Sequence, residues 1–377
     1  MLNRRLIRIR AMQALYAYKQ SEKANYILAQ DSIKEHYAPD LNSMEKQDKL
    51  KLEGYTKLSI NALADLFNSK DTDDELPADV LRQAKEAFSS LRNANRKDFE
   101  QLTLNTIREA DKIYEVYYIL LGLYAAVAKI AAADKHKEGK RNLADNKLLK
   151  DLVANTTFEV AYLKTGFDWS NHLDFVKELY KTVIKENEKY KAYCEKLNQP
   201  LEEELAILKY MAKNIFLKNE VSNGFFERYH LYWTEDKDTL RAMLSHTFQS
   251  VIDEGQLTIF MPDDTWQERK DFLMVLFKKS IKDADELLEY IDPKLKNWEM
   301  DRIADLDKIL LSMALVEMME FPSIPVKVTI NEIVEIAKNY STPKSSQFIN
   351  GVLDNLSKEL TETGKIKKSG RGMLDNK

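Results

Sequence analysis

The sequence predicts an all-α protein made of helical bundles, and three observations carry that reading. Punctuation is sparse, with 10 Gly and 8 Pro in 377 residues, against average usage of roughly 7% and 5%. Leu, Ala, Lys and Glu at helical spacing are plentiful, and that period marks amphipathic helices. The length exceeds the usual single domain, so two or three modules are expected, each burying its own core.

Taken in order, residues 3–20, "NRRLIRIRAMQALYAYKQ", form the first helix. Ile7, Ala11, Ala14, Leu15 and Tyr18 share one side at about 100° per residue and make its core face. Arg4, Arg5 and Arg8 cluster on a flank that Met12 and Tyr16 continue, while Arg10 points elsewhere. A Lys/Glu-rich helix is expected around 44–68, then the acidic breaker "DTDDELP" at 71–77, then two more helices, the second from about 97 to 134. "KHKEGKRN" at 135–142 reads as a solvated connector and a module boundary, because charge, Gly and Asn replace the apolar period. Within the preceding helix, "VYYILLGLYAAVAKIAAA" from Val116 to Ala133 reaches the lower limit for a membrane span. Lys129 and the many alanines and tyrosines favour a buried helix instead.

Between 172 and 320 a degenerate internal repeat is expected. "DFVKELYKTVIK" from Asp174 and "DFLMVLFKKSIK" from Asp271 share Asp, Phe, Leu, an aromatic, Lys and Ile-Lys in register. A 65-residue offset also brings Phe216 onto Ile281, Trp233 onto Trp298 and Asp236 onto Asp301. Chance likeness among amphipathic helices is the alternative. From Trp298 to Leu360 three helices with clear stops form a compact bundle. The first carries Ile303, Leu306, Leu310, Met313 and Ala314 and ends before Pro322 and Pro325. The second carries Ile330, Ile333, Val334 and Ala337. The third has Thr342 as N-cap and Pro343 at its first position, and buries Phe348, Ile349, Val352, Leu353 and Leu356. The tail from Gly364 is basic, short of apolar residues and expected to be mobile.

Composition excludes more than it assigns. A single cysteine, Cys194, excludes an internal disulfide framework, and the basic N-terminus lacks signal-peptide features, so a reducing cytoplasm fits. The net charge of -4 argues against general nucleic-acid coating but leaves local basic patches open. There is no GxxxxGK, GxGxxG or HExxH, and the five histidines are scattered. Glu227 and His230 form one Glu-x-x-His pair, where a di-iron bundle needs two such motifs and two more carboxylates. No catalytic residue, cofactor or metal site is expected, and the chain reads as a non-enzyme.

Two segments carry a family resemblance. "IPVKVTINEIVEIAKNYSTPKSSQFINGVLD" and "NRRLIRIRAMQALY" resemble the bacterial transcription antitermination factor NusB, with a spacing similar to the long Bacteroidetes-type form. The resemblance implies NusB-type helical bundles enlarged by a long helical insertion. On that frame residues 1–20 are the arginine-rich helix, 21–140 an insertion, and 141–264 a second insertion with repeat-like units. Residues 265–361 are the C-terminal bundle and 362–377 a basic flexible tail. The family implies binding to boxA-type single-stranded RNA of ribosomal RNA transcripts. It implies as partners the small-subunit ribosomal protein acting as NusE and the RNA polymerase antitermination complex, with no membrane. The role implied is terminator read-through and ribosomal RNA maturation.

Residue by residue, the resemblance places RNA contact at Arg4, Arg5 and Arg8, with Arg10 an additional base and Leu6 where the family often has another basic residue. Tyr16, Lys344, Ser345 and Phe348 match positions at or near the family's RNA surface. Independently, arginine forks suit phosphate, and aromatic rings stack on unpaired bases. Phe348 also heads an apolar stripe, which makes it a core candidate. The competing reading is a helical protein-interaction scaffold in which RNA binding has been lost, with Trp233, Tyr229 and Phe226 lining a partner groove. An RNA methyltransferase is disfavoured by the lack of any visible nucleotide-binding α/β domain.

Overall fold

A computed structural model describes residues 4–40, 42, 47–71, 75–134, 140–295 and 303–374, which hold fifteen α-helices and no strand. They group into two compact units: Met1–Ile7 with Arg108–Asp271, and Arg8–Ile107 with Phe272–Lys377.

Helix α1 runs Arg4–His36, well past residue 20, because nothing before Pro39 breaks it. Lys34 and His36 in its last turn suit the negative end of the helix dipole. Asp48 caps α2, Lys49–Phe67, by accepting from the Lys51 amide at 3.1 Å. Helix α3 follows Pro77 and spans Ala78–Ala133 without interruption. The two helices expected here are therefore one. Residues 93–98, "NANRKD", lack the apolar period but contain no Gly or Pro to stop a helix. In the second unit Ala29, Ile33 and Tyr37 pack with Leu63 of α2 and with Ala87 and Leu91 of α3 as a small three-helix cluster.

The first unit is organised on the apolar end of α3. Val116, Tyr117, Ile119 to Leu121, Leu123, Tyr124 and Val127 are buried. The Trp169 indole donates to the Ile119 carbonyl at 2.9 Å, and the Tyr124 hydroxyl donates to Leu208 at 2.7 Å. At Gly122 a Cβ would lie 2.6 Å from the Tyr162 ring, so only glycine admits that approach. The segment long enough to cross a membrane is thus largely covered by protein. Around it lie α4 Lys147–Ala154, α5 Thr156–Lys164, α6 Leu173–Glu178, α7 Glu188–Glu195, α8 Leu201–Met211, α9 Glu220–Tyr229 and α10 Trp233–Glu254. Asn146, Asn155, Asn187 and Asn219 cap α4, α5, α7 and α9 through their side chains. Gly255, at φ 76°, ends α10 in the left-handed conformation.

The second unit's C-terminal bundle follows α11, Asp264–Lys282, and comprises α12 Ala284–Leu295, α13 Asp305–Glu320, α14 Val326–Tyr340 and α15 Ser345–Glu362. Helix α14 packs on α13 and α15, and α12 packs on the same two. Most of the expected apolar stripes are its core, with Leu310, Met313, Ala314, Ile330, Ile333, Ala337, Ile349, Leu353 and Leu356 buried, whereas Ile303 lies before α13 and Leu306 and Val334 are half-buried.

Shifting by 65 places α9 (220–229) on 285–294, inside α12. Trp298 and Asp301 lie outside the described residues. The tail departs from expectation. Ile366 is buried and its amide donates to Leu360, Lys368 donates to the Phe321 carbonyl, and Ser369 donates to Pro322. Gly372 closes against Pro322, where a Cβ would stand 2.0 Å from the carbonyl oxygen. The residues to Leu374 are docked by backbone bonds that their polar composition concealed.

Candidate nucleic-acid interface

The core face expected of α1 is present, since Ile7, Ala11, Ala14, Leu15 and Tyr18 are buried. Burial wraps further round the helix than periodicity implies, because Arg8, Ile9, Arg10 and Met12 are enclosed too. Arg8 is 2% exposed and forms a fork with Glu317 of α13: Nε donates to Oε2 at 2.7 Å and an Nη to Oε1 at 2.6 Å. Its other Nη lies 3.7 Å from Glu332, and the guanidinium sits 5.4 Å from the Phe272 ring centre. Glu317 is itself fully buried and also accepts from the Thr329 hydroxyl at 2.7 Å.

The expected solvent-facing cluster of Arg4, Arg5 and Arg8 is therefore divided. Arg4 is exposed and Arg5 half-buried, whereas Arg8 is committed to an interior carboxylate. Arg10, at 2% exposure, is also interior. Tyr16, at 44%, presents its ring to solvent. Tyr18, two residues on, is buried, and burial followed by the nearby Glu22 carboxylate holds its phenol protonated well beyond the usual range.

The start of α15 differs in register from the sequence reading. Lys344 takes the N-cap position, and Thr342 and Pro343 belong to the preceding turn. The Thr342 hydroxyl meets that of Ser345 at 2.7 Å rather than capping an amide. Ser345, expected beside RNA, is 2% exposed and donates to Asp307 at 2.7 Å, while Ser341 donates to the other Asp307 oxygen at 2.6 Å. These hydroxyls fasten α15 to α13. A serine carries no charge to hold at the surface, so an inward acid captures it.

Lys344 and Phe348 are brought together. They line a groove of about 540 Å³ between α12 and α15 with Lys294, Gln347, Gly351 and Asn355. Phe348 is 8% exposed, so it forms part of the core and shows only an edge. The Asn355 amide donates to the Gly351 carbonyl at 3.0 Å, which leaves its oxygen as an acceptor. Lys294 pairs with Glu359. The groove offers the Lys344 cation for phosphate and amides for a base edge, with Lys294 already held by an acid. Glu317, the residue that sequence reasoning missed, was detectable as an acid continuing the 310, 313, 314 stripe.

Elsewhere the sequence candidates have interior partners. The His230 ring nitrogen Nε2 lies 2.7 Å from Asp236, both fully buried, so it faces that acid rather than Glu227. Phe226 and Trp233 are buried and stacked at 4.5 Å, and of the proposed partner-groove trio only Tyr229 is exposed. Burial pushes the Cys194 thiol up. Among the described residues no group of three His, Cys, Asp or Glu side chains converges to hold a metal.

The NusB family profile matches residues 233–358. A transcription antitermination protein NusB of Salinibacter ruber (strain DSM 13855 / M31) is 41% identical over 114 residues, 30% of this chain and 71% of the relative. The chain belongs to the NusB family. A second NusB, of Koribacter versatilis (strain Ellin345), is 41% identical over 109 residues, 27% of this chain and 75% of that protein. That of Chloroherpeton thalassium (strain ATCC 35110 / GB-78) is 42% identical over 106 residues, covering 28% and 50%. A solved structure of T. maritima NusB, 22% identical, covers 45% of this chain and 98% of that one with a TM-score of 0.25. Membership in a family named for transcription antitermination makes this chain a transcription antitermination factor.

Proposed function

We propose that this NusB-family chain binds boxA-type single-stranded RNA of ribosomal RNA transcripts in the cytoplasm. It acts with the small-subunit ribosomal protein that serves as NusE, inside the RNA polymerase antitermination complex, and supports read-through and ribosomal RNA maturation. It acts by binding and catalyses no reaction. The observation that carries the reading is the groove in which Lys344 and Phe348 meet Lys294 and two side-chain amides. Arg4, Arg5 and Lys344 supply charge for phosphates, and Tyr16 supplies an exposed ring for an unpaired base. Arg8 and Ser345 act by positioning: Arg8 ties α1 to α13, and Ser345 ties α15 to α13, while Arg10 lies in the interior.

The test is fluorescence anisotropy of a labelled boxA-like RNA and a scrambled control, with and without the ribosomal-protein partner. Selective binding tightened by the partner, and weakened by Arg5→Ala and Lys344→Ala, supports the reading. Equal weak binding to both RNAs sinks it. A scaffold role is the second reading. Its support is a set of half-buried rings in the first unit, Phe167, His172, Phe175 and Phe225, beside exposed Leu163 and Leu231. It predicts partner interactions that survive Arg4→Ala combined with Arg5→Ala.

A further inference from the structure

The first half of α3 buries one side and leaves the other to solvent. Ala87 and Leu91 lie in the three-helix cluster. On the opposite side Arg82, Lys85, Ser89, Arg92, Asn93 and Arg96 are exposed, and at about 100° per residue these six share roughly 100° of arc. Residues 82–97, "RQAKEAFSSLRNANRK", hold five basic side chains and one acid, a net +4 within a chain whose total is -4. The charge is concentrated where the helix is bare.

Two of these cations stand without a counter-charge. Arg82 pairs with Asp79 and Glu86, and Arg96 with Glu100, exposed pairs of the kind that hold weakly. Lys85 and Arg92 have no carboxylate within ion-pair distance among the described residues. Asp98, the next acid along the helix after Arg92, instead accepts from the Asn25 amide at 2.7 Å. The Arg92 guanidinium rests 5.9 Å from the Phe88 ring centre, a contact that steadies it at the surface.

The neighbours decide which polyanion suits this face. A stable protein interface is centred on buried aromatic or apolar anchors, and the exposed arc carries none, only Ser89 and Asn93 between the cations. A nucleic-acid backbone asks for spaced positive charge and neutral hydrogen-bonding groups, and needs no apolar centre. From Arg82 to Arg96 the helix rises about 21 Å, the length of about six nucleotides stacked at roughly 3.4 Å each.

We infer that this face of α3 is a second RNA site, which holds the sugar-phosphate backbone of nucleotides flanking the boxA-type element without reading their sequence. It rests on the RNA-binding reading above and is separate from the α12–α15 groove.

The full chain is titrated in fluorescence anisotropy with a boxA-like RNA and with the same RNA lengthened by about six uridines at its 5′ or its 3′ end. The wild type is expected to bind one lengthened RNA more tightly than the short one, with a logarithmic salt slope steeper by about 1.4 from Lys85 and Arg92 together. That gain should shrink about sevenfold between 50 and 200 mM salt. Lys85→Gln combined with Arg92→Gln, its native helix content checked by circular dichroism, should remove the gain and the extra slope and leave binding of the short RNA unchanged. Equal affinity and slope for all three RNAs, or a gain that survives the double variant, overturns the proposal. So does displacement of the lengthened RNA's extra affinity by polyglutamate as effectively as by oligouridine, which would assign the face to an acidic protein. Should boxA selectivity itself fail, a plain oligouridine strand separates the two readings: a wild-type slope steeper than the double variant's by about 1.4 keeps the α3 site, and equal slopes remove it.

Discussion

Replacing Glu317 by Ala would leave the Arg8 guanidinium buried with its main counter-charge gone. The wild-type fork makes bonds of 2.7 and 2.6 Å between groups that are 2% and 0% exposed. Breaking a buried pair from one side costs about 3–5 kcal/mol, because the surviving charge stays desolvated. Glu332, at 3.7 Å and 22% exposed, recovers only part of that. Urea unfolding followed by far-UV circular dichroism should therefore show Glu317→Ala and Arg8→Met each lowering stability by several kcal/mol. The double variant Arg8→Met, Glu317→Leu should recover most of the loss, since an apolar pair of similar volume removes both charges together. Losses under about 1 kcal/mol for both single variants, the size found for exposed pairs, would refute the burial argument. RNA binding supplies an independent arm. If Arg8 only positions α1, the double variant keeps the wild-type salt dependence, whereas a slope shallower by about 0.7 would place Arg8 on a phosphate.

The other predictions follow from the same geometry. Arg5→Ala and Lys344→Ala should each flatten the logarithmic salt dependence of RNA binding by about 0.7, and unchanged slopes would remove those residues from the phosphate set. Tyr16→Ala should weaken RNA binding by about 1–3 kcal/mol while Tyr16→Phe stays near wild type, as stacking on a base requires; the assay is anisotropy at fixed salt. Gly372→Ala forces a methyl against the Pro322 carbonyl and should release the tail at a cost of about 1–3 kcal/mol. Faster tryptic cleavage between Lys365 and Arg371 would register that release, and digestion at the wild-type rate would deny it. Burial pushes the Tyr114 and Tyr180 phenols up to about 12, above an unfolded value of about 10. Their folded values are raised, so this contribution to stability is complete below pH about 10 and is lost as pH rises through 12. Resolved ring resonances of these two tyrosines should therefore report ionisation only together with loss of helix, and their reversible titration at pH about 10 in the folded chain would contradict it.

What the sequence disclosed about the fold was the part that depends on local period. The core face of α1 and most of the α13, α14 and α15 stripes stand where the apolar spacing puts them, although Ile303 precedes α13 and Leu306 and Val334 are only half-buried. Local rules failed where a decision belonged to distant residues. The break expected near 97 did not occur, because "NANRKD" is unfavourable only to an amphipathic pattern and contains no residue that stops a helix. The tail's polar composition suggested freedom, yet the Ser369 amide and the Lys368 side-chain amine donate to the carbonyls of the Phe321–Pro322 turn, anchors that composition does not encode. Each compact unit combines stretches far apart in the chain, a grouping that a linear division into segments cannot express.

The same limit explains how the arginine motif was read. Helical spacing correctly put Arg8 on one flank with Arg4 and Arg5, but spacing gives a direction and not the neighbour found there. Between Ile7 and Met12 that neighbour is protein on every side. An arginine in such a place is tolerable only with a carboxylate aimed at it, and α13 provides one by interrupting its apolar stripe with Glu317. The acid and the base each look anomalous alone: a charge inside an apolar stripe, and one basic residue among several on a helix flank. Together they specify one docking of α1 on the C-terminal bundle, since a shift of one turn would strand both charges. The family's basic motif therefore combines two uses of one residue type. Arg8 fixes the helix, and that fixed helix leaves Arg4 and Tyr16 exposed and Arg5 half-buried on the surface proposed to meet RNA.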